Sequence, residues 1–310
     1  MNWDLNEEQQ AIKELAAQIL DSERATWEEL AKADLLGVCL PEKYGGSGHG
    51  IFELGLMLEE QGRAGHHLPL LPTLVCAMAI AEFGSPEQKD RWLPGVVRGD
   101  VVLTAVLSDD PPFAPYARQA AAVFVGNTLF EAPALDIVDL DTTSGEPQGL
   151  VSVRAGNPGP HSRANRWLLD RWIAGLCMLQ VGLADKALRL TAEYTTGREQ
   201  FGKPIATFQA VAQRAADAYI DTEAVRLTAY QAAWRLAEDL PAADELAVAK
   251  FWAAEGGNRV MLAAQHLHGG IGVDMDYPLH TYTTWTKQIE LTLGSATPSL
   301  LRLGRAIAQS

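Results

Sequence analysis

The sequence predicts a mainly α protein in three parts: a helical N-terminal domain over residues 1–101, a truncated β segment over 102–160, and a C-terminal four-helix domain over 161–310. Three observations lead there. Apolar residues recur at three-to-four spacing over long stretches on both sides of the chain's middle. The middle is rich in β-branched residues and broken by Gly, Pro, Asp and Ser. Beyond Gly156-Asn157-Pro158-Gly159-Pro160, which reads as a linker, the pattern is almost wholly helical.

Residues 5–35 read as helix, with Asn6 as N-cap, Glu7 and Glu8 in the first turn, and Ile12, Leu15, Ala16 and Ile19 on one face. A second short helix is expected around Thr26 to Leu36. Pro41 and Gly45-Gly46-Ser47-Gly48 break the chain into a tight loop, to which we assign backbone shape and no chemistry. Helix resumes near Phe52 and runs to about Gly62. Pro69 to Phe83 is apolar enough for a buried helix, and Ser85-Pro86-Glu87 combines an N-cap with Pro at the first helical position, opening a helix through Trp92. Strands are expected at Val101–Val106, at Ala121–Val125 followed by a Gly126-Asn127 turn, at Ile137-Val138 and at Leu150–Val153. Long helices follow over 164–196, 206–239, 241–268 and from about Tyr277 to Leu291, with a short one closing the chain. The third of these is expected to break or bend at Gly256-Gly257. Short connections between such helices predict an antiparallel bundle.

Bulk properties narrow the function. Asp and Glu outnumber Lys and Arg 39 to 25, a formal charge of −14, which argues against non-specific nucleic-acid binding. An anionic ligand would need a local basic patch or helix terminus acting against that field. No uninterrupted apolar run reaches the roughly 18 residues that span a bilayer, and Met1-Asn2-Trp3-Asp4 lacks the plan of a signal peptide. The expectation is a cytoplasmic protein with no membrane partner. Cys39, Cys76 and Cys177 are too few and too scattered for a disulfide framework or metal site and read as buried thiols. His266 and His268, two apart on a helix, point in different directions and fail as a metal pair.

Three local sequences carry a resemblance. The first is Leu36-Gly37-Val38-Cys39-Leu40-Pro41-Glu42-Lys43-Tyr44-Gly45-Gly46-Ser47-Gly48 with Leu58–Arg63. The second is Tyr194-Thr195-Thr196-Gly197-Arg198-Glu199-Gln200-Phe201-Gly202-Lys203-Pro204-Ile205 with Phe208-Gln209-Ala210. The third is His266-Leu267-His268-Gly269-Gly270-Ile271-Gly272-Val273 with Tyr277-Pro278. In this order and spacing they resemble the acyl-CoA dehydrogenase family, and the chain is expected to share its fold. With Trp234-Arg235-Leu236-Ala237-Glu238-Asp239-Leu240, the third segment is most similar to the smaller subunit of actinobacterial acyl-CoA dehydrogenases that act on steroid side chains.

The resemblance implies FAD as cofactor and an acyl-CoA as substrate. It places Arg198 at the FAD pyrophosphate across a subunit interface, a task suited to its planar fork. Gln200 and Phe201 would lie near the flavin, and Gln265, His266, Gly269 and Gly270 at the adenosine half. The family usually has Gln where His266 stands, with Gln265 one step earlier, so the usual amide contact is altered. Arg198 capping its own helix and Phe201 lying in the core is the plainer alternative.

The catalytic base is missing. Family members take the α-proton with a Glu that precedes a Gly on the C-terminal arm. Here Leu293 precedes Gly294, and Glu290 does not align. Other members place the base at the position of Trp172, and Asp170, two residues earlier, is a weak substitute whose bland role is helix-terminal charge or a pair with Arg166 or Arg171. Leu107-Ser108-Asp109-Asp110-Pro111-Pro112 is a remnant of a flavin-gripping loop. The expectation is a subunit of a heteromeric dehydrogenase, α2β2, whose second subunit supplies the base, with an electron-transfer flavoprotein or similar acceptor. The alternatives are a self-sufficient homomer using Asp170 and a flavin-free scaffold.

Overall fold

The computed structural model describes residues 4–22, 25–108, 110–156, 163–292 and 294–308. The linker residues Asn157 to Pro160 and Leu293 lie outside them, as does Asp109. Helix α1 (Glu7–Leu20) starts with a capping box: Asn6 accepts from the Gln9 amide, and the Gln9 side chain returns to the Asn6 amide. The predicted run to residue 35 instead divides. Thr26 caps a separate α2 (Trp27–Lys32), and Asp34 in a left-handed conformation turns the chain into a 3₁₀ turn at Leu35–Gly37. Helices α3 (Ile51–Ala64), α4 (Leu70–Phe83) and α5 (Pro86–Val97) complete the first domain. Helix α5 passes the expected stop at Trp92 despite Pro94, because the carbonyl deprived of its donor belongs to Asp90, an exposed residue that water can satisfy.

The middle segment forms two small sheets. Strand β1 (Leu103–Ala105) pairs in parallel with β3 (Ala122–Val125), which turns at Gly126-Asn127 into antiparallel β4 (Thr128–Glu131), with Val123 opposite Phe130. Strand β2 (Phe113–Pro115) pairs with β6 (Gln148–Val153), which also pairs with β5 (Leu135–Leu140), in the order β2-β6-β5. Strands β2 and β4 were not among the sequence expectations.

The C-terminal half is the bundle. Helices α6 (Arg163–Gly197), α7 (Gln209–Ala237), α8 (Ala243–His268) and α9 (Leu279–Leu291) pack on one another, a two-residue hairpin of β7 (Glu199–Gln200) and β8 (Lys203–Pro204) joins α6 to α7, and α10 (Ala296–Ile307) packs on α8. Helix α8 runs unbroken through Gly256-Gly257. Both glycines are demanded by close packing: a Cβ at Gly257 would lie 2.6 Å from the Gln180 amide of α6, and one at Gly256 3.0 Å from Val225 of α7. Helix α6 is long and apolar enough to cross a bilayer, but its apolar window is 83% buried against the other helices.

One core joins the helical domains, and the three cysteines lie buried in it. Within it, Glu59 of α3 is fully buried. It accepts from Lys13 of α1 at 2.8 Å, Arg63 at 2.9 Å, Arg226 of α7 at 2.7 Å and the Tyr230 hydroxyl at 2.5 Å. Burial alone would raise its pKa; the Lys13 and Arg226 charges, with the Lys13 and Tyr230 hydrogen bonds, outweigh that and hold the carboxyl below its ordinary value. Asp185 of α6, bonded to Arg63 and Arg226, ties the same network to a fourth helix.

Candidate cofactor-contact turns and the closed interior

Two turns close one end of the bundle. Helix α6 ends as the Arg198 amide donates to the Tyr194 carbonyl at 2.8 Å, and the Ile205 amide returns to the Arg198 carbonyl at 2.8 Å. Between them, β7 and β8 pair Gln200 with Lys203 around Phe201-Gly202, both at positive φ (55° and 77°). Such a two-residue turn needs left-handed residues at both centres. Glycine meets that freely; a phenylalanine pays of order 1–3 kcal/mol. The strained ring is not buried in return: Phe201 is 93% exposed and touches Phe208 only edge-on, 6.2 Å between centroids. Arg198 is also exposed, with no carboxylate partner among the described residues, and Gln200 bonds only to the Glu199 carbonyl.

The second turn ends α8. Gly269, at φ 65° and ψ −138°, donates its amide to the Gln265 and His266 carbonyls and leads into a 3₁₀ turn, Gly269–Val273. A Cβ added at Gly269 or Gly270 would meet nothing within 4 Å, so the backbone there is open to an approaching ligand. Gln265 is part-buried and His266 exposed, while His268 is buried, so the two histidines diverge as their spacing requires.

An aromatic column joins the turns. The Tyr194 ring stacks on His268 at 4.5 Å and 21°, and the Tyr277 ring lies 5.2 Å from the imidazole, tilted by 55°. The His268 Nδ1 lies 2.8 Å from the Ala264 carbonyl, so it carries the proton, and Nε2 accepts from the Tyr277 hydroxyl at 3.1 Å. Burial lowers the His268 pKa, favouring this neutral form, although the Ala264 contact works the other way. Tyr194, His268 and Tyr277 stand in the segments that carry the resemblance, but no spacing rule in the sequence links Tyr194 to His268.

The interior is different. Trp172 of α6, one of the two positions where the resemblance located a base, lines a cavity with Gln61 of α3, Trp285, Gln288 and Ile289 of α9, Thr292, and Glu146 and Gln148 of the β segment. The cavity measures about 20 Å³, enough for roughly one water and far short of the 300–1,000 Å³ of a ligand pocket. Trp172 and Trp285, each 1% exposed, fill the space. Asp170 does not line it; the carboxylate pairs with Arg166 at 2.9 Å, which is its bland role. Glu290 pairs with Lys287 at 2.5 Å. Leu293 itself is outside the described residues.

Glu146 is part-exposed, but its carboxyl faces this interior, where burial pushes its pKa up to about 7 against the opposing effect of Gln148. Gln61, 1% exposed, gives its amide hydrogens to the His66 and Leu68 carbonyls at 3.0 and 2.9 Å, leaving its Oε1 buried without a partner.

Comparison with known proteins agrees with this architecture. Family models described as the acyl-CoA dehydrogenase N-terminal and C-terminal domains match residues 6–100 and 167–308. The acyl-CoA dehydrogenase FadE27 of Mycobacterium tuberculosis is 38% identical over 93% of this chain and 89% of its own length. The chain belongs to the acyl-CoA dehydrogenase family. Members are flavoprotein oxidoreductases that act on a CH–CH bond with FAD as cofactor. Among solved acyl-CoA dehydrogenases, a variant of the Tcur3481–Tcur3483 steroid enzyme matches at a TM-score of 0.89 and 40% identity over 98% of both chains. The ChsE4–ChsE5 complex from Mycobacterium tuberculosis matches at 0.91 and 34% over the whole of both.

The described residues fit part of an FAD site. The unpaired Arg198, the open glycine backbone and the exposed Phe201 ring suit contact with a cofactor carried elsewhere. They do not make an enclosed pocket within this chain.

Proposed function

We propose that this chain is the base-lacking subunit of a heteromeric acyl-CoA dehydrogenase and lends its two turns to an FAD seated in the partner. The observation that supports the reading is the filled interior around Trp172, one of the positions where the resemblance located a base: two buried tryptophans and a cavity of about 20 Å³. An acyl group cannot enter there, and neither Asp170, paired with Arg166, nor Glu290, paired with Lys287, lines that cavity. The partner then supplies the carboxylate base and the acyl-CoA pocket, in an α2β2 assembly. Bound FAD would supply the hydride acceptor for this oxidation, and the partner's base would take the α-proton. Arg198 would hold the pyrophosphate through its guanidinium fork, Gly269 and Gly270 would let the adenosine half reach the backbone, and Phe201 would cover the flavin edge, with Gln200, Gln265 and His266 at the rim.

Support for a bulky substrate comes from the steroid enzyme and the two-component complex among the relatives; we assign a steroid side-chain CoA ester, an electron-transfer flavoprotein or similar acceptor, and a cytoplasmic setting. The test is flavin content. The purified complex should carry one FAD per heterodimer, and Arg198→Ala should weaken its retention. Two FAD per heterodimer, or turnover by this chain alone, would refute the assignment.

A further inference from the structure

We propose that His268 is a positioning residue: its imidazole fixes the Gly269-Gly270 turn and the Arg198 turn in one geometry, and thereby sets the affinity of the complex for FAD. The inference rests on the reading above that these turns meet the cofactor. His268 and Tyr277 stand immediately before and after residues 269–276, a segment whose Ile271, Val273 and Met275 are exposed and whose Gly272 is buried against Gln265. The Nε2 contact to the Tyr277 hydroxyl at 3.1 Å therefore closes the neck of that loop. Stacked on the imidazole lies Tyr194, whose carbonyl accepts the Arg198 amide. One ring thus touches the residue that closes the loop carrying the open glycines and the residue that terminates the helix before the arginine. The ring cannot rotate freely, because Nδ1 is held by the Ala264 carbonyl at 2.8 Å. Arg198 and Gly269 lie 71 positions apart in sequence, and no other aromatic or polar contact among the described residues joins the two turns so directly.

The experiment uses the intact complex purified through a tag on this chain, stripped of flavin and titrated with FAD while flavin fluorescence is followed. His268→Leu should weaken FAD binding about tenfold, the loss allowed by one hydrogen bond and one stacked ring pair. Tyr277→Phe, which removes a single oxygen, should weaken it about threefold with the subunit ratio unchanged. A purely structural role would instead lower the melting temperature and leave the affinity of the assembled fraction as it was, which overturns the proposal. If Arg198→Ala weakens FAD binding while both His268→Leu and Tyr277→Phe bind as the parent does, the positioning role is wrong and the cofactor reading stands. If Arg198→Ala also binds normally, the cofactor reading falls and this inference with it. Should His268→Leu fail to assemble, Tyr277→Phe decides alone.

Discussion

A closed interior has a measurable consequence at Glu146. Its carboxyl faces the cavity between Trp172, Trp285 and Gln61, and its pKa of about 7 stands against an ordinary 4.5. The folded state therefore holds this proton more tightly than the unfolded chain does. Below pH 4.5 both states are protonated and nothing is lost. Between pH 4.5 and 7 unfolding releases a proton, so stability falls as pH rises, and above 7 the loss is complete. A difference of about 2.5 pH units at 1.36 kcal/mol each gives about 3 kcal/mol, and the residue's partial exposure to water lowers the expectation to about 1–3 kcal/mol. Glu146→Gln is neutral at every pH and keeps the shape. It should match the parent near pH 4.5 and exceed it by that amount at pH 8, about 2–4 °C in melting temperature for a chain of this size. Urea unfolding of both proteins at the two pH values measures it. Equal differences at both pH values, or none, would mean that Glu146 is solvated and the cavity open, and the argument that this chain cannot house its own substrate would lose its footing.

Other variants probe the same architecture. Trp172→Ala should cost about 3–5 kcal/mol and leave an apolar hole that takes up a small aromatic such as indole, seen by calorimetry, without giving turnover. Leu293→Glu, restoring a carboxylate to the sequence position of the family's base, should produce no dehydrogenation by this chain alone, because Trp172 and Trp285 still fill the interior; activity in a flavin-reduction assay would contradict this. Glu59→Ala removes the acceptor shared by Lys13, Arg63, Arg226 and Tyr230, leaves the three cations to Glu60, Asp185 and Glu223, and should cost about 1.5–3 kcal/mol. The stability that Glu59 confers is present above its ordinary pKa of 4.5 and is lost as pH falls through its lowered folded value, so the gap from the parent should shrink in acid. Gly257→Ala places a methyl against the Gln180 amide and should loosen α6 from α8 at about 1–3 kcal/mol, read as a lower melting temperature.

The helices were legible in the sequence because period and punctuation agreed. Asn6 and Ser85 cap where they were expected to, and Pro86 stands at the first position of α5. Where the reading erred, a contact distant in sequence had decided the outcome. Gly256-Gly257 looks like a hinge until Gln180 and Val225 are seen pressing on it, and a glycine pair required by packing is indistinguishable in sequence from one required by bending. Strands β2 and β4 are three and four residues long, and their pairing with β6 and β3 supplies the order that their own side chains do not signal. Pro115 within β2 and Pro111-Pro112 before it mask that strand further.

The candidate site divides along the same line. Arg198, Phe201 and the glycines after His268 are visible in sequence because their chemistry is local: a fork, a ring and a backbone without Cβ. The column of Tyr194, His268 and Tyr277 is not, since two of its members are separated by 74 positions and only the fold stacks them. The closure of the interior is also half-visible. A leucine at the base position reports the loss of a proton acceptor, but it does not report the loss of space. That second loss matters more for function. A missing base can be replaced from a neighbouring residue or from solvent, whereas the cavity of about 20 Å³ between Trp172 and Trp285 has no room for an acyl group. On the proposed reading the chain meets the cofactor through its surface, where Phe201 at positive φ is 93% exposed and Arg198 has no carboxylate partner among the described residues. A residue held at positive φ without being buried in return is a reason to test that surface for a ligand.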